Sequence, residues 1–300
     1  MKRILTILSL CLFILTMNAR TNNIVRKPKQ TTTHTTTAPK KQKKTTTPAK
    51  KQSKTTSGSH RSSSSYSSEV KTYNANGVSF QMVEVKGGTF TMGATPEMKD
   101  SHGYEKPAHK VTLTNDYYIG RTEVTQALWK AVMGNNPSWF KGDNLPVESV
   151  SWDDCQEFIS KLNSITGHNF RLPTEAEWEF AARGGNNSKH YQYSGSNNMD
   201  DVAWYENNSG DKTHPVASKQ PNELGIYDMT GNVWECCSDW SGDYSSSSQT
   251  NPTGPSSGSG RVFRGGSWCN YASGCRSSLR NSFAPVDSNY YLGLRLVLVP

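Results

Sequence analysis

The chain has 300 residues, 33% of them apolar and 19% charged, with 24 glycines, eight tryptophans and a formal net charge of +8. That charge is divided: residues 21–68 hold eleven Lys or Arg and no acid, whereas residues 69–300 hold 19 bases against 25 acids, a net of −6. A nucleic-acid-binding domain needs its bases on a folded face beside stacking or base-reading groups; here they crowd a segment whose one aromatic is Tyr66, so that class is excluded.

At the N-terminus, Lys2 and Arg3 precede an apolar run from Ile4 to Leu15 and then Thr16-Met17-Asn18-Ala19. This is the order of a secretory signal, and residues 1–19 are expected to be removed on export to the periplasm, the cell surface or the medium. About twelve apolar residues are too few for a membrane-spanning helix, which needs roughly twenty, and no transmembrane helix is expected after cleavage. Residues 20–73, rich in Thr, Lys and Ser, lack the apolar surface that would offset ordering entropy. They are expected to form a disordered basic stalk. Residues 74–300 are expected to be one loop-rich α+β domain.

Within that domain, short alternating strands are predicted over Val78–Phe90, His109–Leu113 and Tyr117–Ile119. A first helix starts at Thr125, carries Leu128, Ala131 and Val132 on one face and ends at Gly134. A second starts at Ser151, with Trp152, Cys155, Phe158, Ile159 and Leu162 at helical spacing, and closes at Gly167. In the third, Thr174 and Glu177 make a capping box after Pro173, and Gly184 is its stop. All three read as short and amphipathic. Beyond Gly184 the sequence carries no helix signal, only turns separating brief apolar runs.

Two later runs carry chemistry. In Tyr227–Glu235, Asp228 and Glu235 flank a Gly231-Asn232 turn, so two carboxylates and nearby carbonyls suit either a hard cation such as calcium or a plain solvated turn. In Arg261–Asn270 a Gly265-Gly266 turn leads to Ser267 and Cys269, with Cys275 six residues further. Two such cysteines suit redox partners, a soft-metal site or a structural bridge, and spacing alone leaves the three open. Cys155, Cys236, Cys237, Cys269 and Cys275 survive signal removal. Two bridges and one thiol among them can be drawn in about fifteen ways.

Taken in order, these runs resemble the formylglycine-generating enzyme family, also called sulfatase-modifying factors. The resemblance begins at Met82–Val85 with Gly87-Gly88 and Met92-Gly93. It continues through Glu123-Val124-Thr125, Val150-Ser151-Trp152, Arg171–Gly185 and the two runs above, and reaches Gly293-Leu294-Arg295. It implies a fold distantly like C-type lectins, structural calcium, and in active members a copper ion held by two cysteines, which with oxygen converts a sulfatase cysteine in a Cys-x-Pro-x-Arg segment to formylglycine. Carried over by position, Asp228, Gly231, Val233 and Glu235 match one calcium site, Asp228 standing where the family often has Asn. The second active cysteine falls on Cys275 and the active-site serine on Ser267.

The first active cysteine falls on Asn270, and an amide is a poor ligand for cuprous copper. Cys269 is adjacent, but in an extended segment a one-residue shift turns a side chain to the opposite face; a local bulge would be needed to re-aim it. Cys236 stands where the family has Trp. The resemblance therefore implies a sulfatase-modifying-factor-like domain with a degenerate copper site. The alternatives are an active copper oxidase acting on a sulfatase through Cys275, Cys269 and Ser267, and an adaptor for a protein or glycan partner in the cell envelope.

Overall fold

The alternating segments become strands and the capped segments become helices in the structure, a computed structural model that describes residues 68–300. The predicted signal at 1–19 and the stalk up to residue 67 lie outside the described residues. In chain order the elements are β1 (Val70–Ala75), β2 (Val78–Val85), β3 (Gly88–Met92), β4 (His109–Leu113), β5 (Tyr117–Gly120), α1 (Gln126–Met133), α2 (Trp152–Thr166), β6 (Phe170–Arg171) and α3 (Glu175–Ala182). There follow α4 (Met199–Val202), β7 (Trp234–Trp240), β8 (Gln249–Thr250), β9 (Arg261–Arg264), β10 (Arg280–Phe283), β11 (Leu292–Leu294) and β12 (Val297–Leu298). Pairing thus begins at Val70, four residues ahead of the expected boundary at 74.

Three small sheets share the molecule: β1-β2-β5-β12-β6, β10-β9-β7-β11 and β3-β4-β8. The C-terminal strand β12 closes the first by pairing antiparallel with both β5 and β6. In the second, β7 lies between β9 and the parallel β11, so Glu235 is opposite Arg264 on one side and Gly293 on the other.

Each predicted helix start holds. Thr125 Oγ1 accepts from Leu128 N at 3.3 Å. Ser151 and Asp154 cap each other, as do Thr174 and Glu177. Three expectations are corrected. The stretch Val78–Phe90 is two strands in different sheets, broken between Val85 and Gly88. The third helix is not amphipathic: of its eight residues all but Glu177 are buried, Glu175 and Glu179 among them. Burial of those acids is possible because arginines from distant strands reach them. Helix α4 follows Gly184, where only turns were expected, and its N-cap Asn198 makes no side-chain cap bond.

One core gathers α1, α2, β7 and β11, with Trp129 stacked on Phe158 at 4.9 Å. A second gathers β2, β4 and α3 around Trp178 and Phe180. A small third cluster holds Tyr193, Met199, Val202, Ala203, Tyr205 and Cys275.

Candidate functional site

The two runs with chemical promise are one structural unit. Gly231 N–H donates to Gly265 O at 2.9 Å and Trp268 N–H donates to Asn232 O at 2.8 Å. Glycine is required on both sides of this contact. Gly231 sits at φ +80°, where a Cβ would lie 2.2 Å from Trp204 O, and Gly266 sits at φ +75°, where a Cβ would lie 2.4 Å from Cys275 Sγ. Side chains are excluded at both points by backbone conformation and by contact.

Ser267, fully buried, is the hub of the second turn. Its Oγ donates to Asn270 Oδ1 at 2.7 Å, its N–H donates to the same oxygen at 3.0 Å, and the Trp234 indole N–H donates there at 3.0 Å. Cys269 Sγ lies 3.4 Å from Ser267 Oγ. The segment turns here instead of running extended: Asn270 N–H bonds back to Ser267 O at 3.0 Å. In a turn, strand alternation no longer separates neighbours, so Cys269 and Asn270 both flank Ser267. Cys275, by contrast, packs with Tyr193 and Tyr205 in the small cluster. Burial pushes its thiol up to about 12, against the Ser267 N–H and the Arg276 charge.

The first turn is ringed by buried acids. Asp228, at φ +59°, accepts from Ala217 N–H at 2.7 Å. Glu235 is bidentate to Arg295, at 2.6 and 2.8 Å, and also accepts the Trp178 indole N–H at 2.7 Å. Glu123, quoted in the sequence run but given no role there, accepts from Asn232 Nδ2 at 2.8 Å and Val233 N–H at 3.2 Å. Burial, with the charges of Asp228 and Glu235 beside it, drives the Glu123 carboxyl well above the carboxylate range. Asp228 is pushed up to about 6 by burial, opposed by the Ala217 N–H and Arg295, with Glu235 adding to the rise. Among the described residues, no group of three or more His, Cys, Asp or Glu side chains is arranged to hold a metal ion.

Four buried arginines tie the C-terminal segment to the rest: Arg264 to Glu179, Arg276 to Glu105, Arg280 to Glu175 and Arg295 to Glu235. Arg264 further donates to the carbonyls of Ser277, Ser278 and Leu279 at 2.7–3.0 Å, which fixes the course of the chain just after Cys275. The acids Glu105, Glu175 and Glu179 were not foreseen as positioning groups. Their one sequence signal is the 175/179 spacing, which puts both on one helix face.

This fold and this pair of turns define a class, the sulfatase-modifying factors. The chain belongs to that family: the Sulfatase-modifying factor enzyme 1-like domain matches residues 66–299. It is 34% identical over 280 residues to the chaperone protein LppX of Paenibacillus barcinonensis, covering 77% of this chain and 93% of that protein. It is 36% identical over 190 residues to the formylglycine-generating enzyme of Streptomyces coelicolor, covering 57% of this chain but only 58% of the enzyme. Among solved structures, Treponema denticola variable protein 1 superposes with a TM-score of 0.71 at 36% identity, covering 77% of this chain and 99% of that one. PvdO from Pseudomonas aeruginosa follows with a TM-score of 0.61 at 26% identity, over 73% and 94%.

Proposed function

We propose that this chain is an exported sulfatase-modifying-factor-like protein whose copper site is degenerate, and that it uses the scaffold to bind a protein partner in the cell envelope. The observation that carries the reading is Asn270. At the position of the family's first active cysteine, its carboxamide oxygen accepts three hydrogen bonds, two from Ser267 and one from Trp234. An oxygen so engaged serves as a structural clasp, and an amide is a poor donor to a soft cuprous ion. The one matching thiol, Cys275, is buried and protonated among tyrosines. The residues present do not fit a two-thiolate copper ion, and no oxidation step is derived through it.

A binding role also agrees with the pattern of resemblance, since nearly the whole length of a protein named as a chaperone is matched but little more than half of a bacterial formylglycine-generating enzyme. Export rests on the N-terminal leader; among the described residues no helix is long and apolar enough to cross a membrane. The alternative, an active oxidase acting on a sulfatase, is favoured by one contact, the 3.4 Å approach of Cys269 to Ser267. Titration with cuprous ion against a chelator separates the readings. Degeneracy predicts no stoichiometric binding, and one tight ion lost on Cys275→Ala would overturn it.

Calcium fits better. Asp228 and Glu235 are buried together with Arg295 as the guanidinium between them, and the neighbouring charges that hold the Glu123 carboxyl above the carboxylate range are ones a divalent cation would offset. Asp228 and the carbonyls of Gly231 and Val233 are the residues to hold it. Glu235, already bound by Arg295 and Trp178, would act chiefly by orienting Arg295. The role of calcium would be structural, tightening the first turn against the second.

A further inference from the structure

About fifteen two-bridge patterns are open to the sequence, and the fold brings two of the cysteines together. Cys155 lies in the first turn of α2 and Cys236 on β7, and both are fully buried in the same core. Their sulfurs are 3.8 Å apart, across a sequence separation of 81. The helical turn and the strand meet beside them, because the Trp152 indole in that same turn donates to Cys237 O at 3.0 Å. Strand alternation makes the choice selective. Cys237, one residue on, faces the other way into the core around Trp178, and Cys275 is held in the small cluster.

We propose that Cys155 and Cys236 form a disulfide, a covalent tie between α2 and the central strand of the sheet that carries the candidate site. The reading is independent of whether the protein is catalytic. In the structure both are thiols, and a bond of about 2 Å between the sulfurs leaves less than the length of one covalent bond to close. The oxidant is a disulfide-bearing compound, either a thiol–disulfide oxidoreductase or glutathione disulfide. The Cys155 thiolate attacks one donor sulfur, the donor S–S bond breaks and one donor thiolate leaves. The Cys236 thiolate then attacks Cys155 Sγ in the mixed disulfide, forming the new S–S bond and expelling the second donor thiolate. Two electrons and two protons pass from the protein to the donor, which ends as a pair of thiols. Because neither sulfur is exposed, this exchange belongs to the folding chain, before the core shuts.

The test is to unfold the full chain with reductant in guanidinium chloride, refold it in a buffer of glutathione and glutathione disulfide, isolate the folded protein, trap its thiols with iodoacetamide in fresh guanidinium chloride and map peptides without reduction. The expected map links the Cys155 and Cys236 peptides and shows Cys237 and Cys275 alkylated, and Cys237→Ala leaves the link intact. Reduction of the linked protein is expected to lower its melting temperature by about 10 °C. Natively folded protein with both Cys155 and Cys236 alkylated, or with Cys236 linked to a different cysteine, would overturn the proposal. Where refolding yields no native protein, the same map on chain isolated from secreting cells without reductant reads the same outcomes.

Discussion

Ser267 donates both its hydroxyl and its backbone N–H to Asn270 Oδ1, at 2.7 and 3.0 Å. A serine that the family resemblance assigns to catalysis is thereby closed onto a side chain three residues away. The Trp234 indole completes the clasp and links the turn to β7. Replacing Asn270 by Ala removes the acceptor of three donors, the Ser267 hydroxyl and N–H and the Trp234 indole N–H, at about 1–3 kcal/mol for each one left unpaired. We expect Asn270→Ala to shift the urea midpoint down accordingly, and Asn270→Asp, which keeps an acceptor, to lose less. Equal losses would mean that the clasp is not what the oxygen contributes.

The Arg264–Glu179 pair makes a second prediction. Both side chains are fully buried, and Arg264 also holds three carbonyls after Cys275. Removing Glu179 leaves the buried Arg264 only the 3.6 Å approach of Glu175, a carboxylate already engaged by Arg280, a loss of about 3–5 kcal/mol. Glu179→Ala is expected to cost that much in urea unfolding. Arg264→Lys should fail to restore full stability, since an ammonium cannot serve the carboxylate and three carbonyls with one planar fork.

Asp239 supplies a pH dependence. Burial first, then the charge of Glu175, pushes its carboxyl up to about 7. The unfolded chain titrates near the ordinary value of about 3.9, so the folded state holds the proton more tightly. The contribution is complete below about pH 4 and is lost as pH rises to about 7, with a ceiling of roughly 4 kcal/mol. An amide oxygen still accepts from Glu175 N and Ser238 Oγ, which are at 3.0 and 2.9 Å. Asp239→Asn should therefore gain on the native chain in urea midpoint across pH 4 to 7. A difference independent of pH would contradict the assignment.

Calcium is expected to raise the melting temperature, and a chelator to lower it, only while Asp228 is present. Asp228→Ala should abolish the response. A full response in Asp228→Ala would place any bound calcium elsewhere.

What the sequence disclosed follows the range of the interactions involved. Helix starts at Thr125, Ser151 and Thr174 were legible because a cap is a bond across three residues. The buried character of α3 was not. Local spacing gives Glu175 and Glu179 no partner; Arg280 and Arg264, about a hundred residues on, cross to neutralise them. Glu105 meets Arg276 at a separation of 171, beyond any local pattern. The positions Ser267, Cys269, Asn270 and Cys275 were all visible in sequence, but their arrangement depended on whether the segment ran extended or turned. The turn at Ser267–Asn270 is set by side-chain bonds to Asn270 Oδ1, which strand alternation does not report. Cys155 and Cys236 could not be matched from spacing, because only the packing of α2 on β7 brings them together.

The central claim, that Asn270 makes this a binding member of an oxidase family, is tested most directly by turnover. Mature protein loaded with cuprous copper is incubated under oxygen with a Cys-x-Pro-x-Arg peptide, and the products are read by mass spectrometry. The account predicts no formylglycine above the copper-only control. Formylglycine that accumulates over many turnovers and disappears in Cys275→Ala would contradict it.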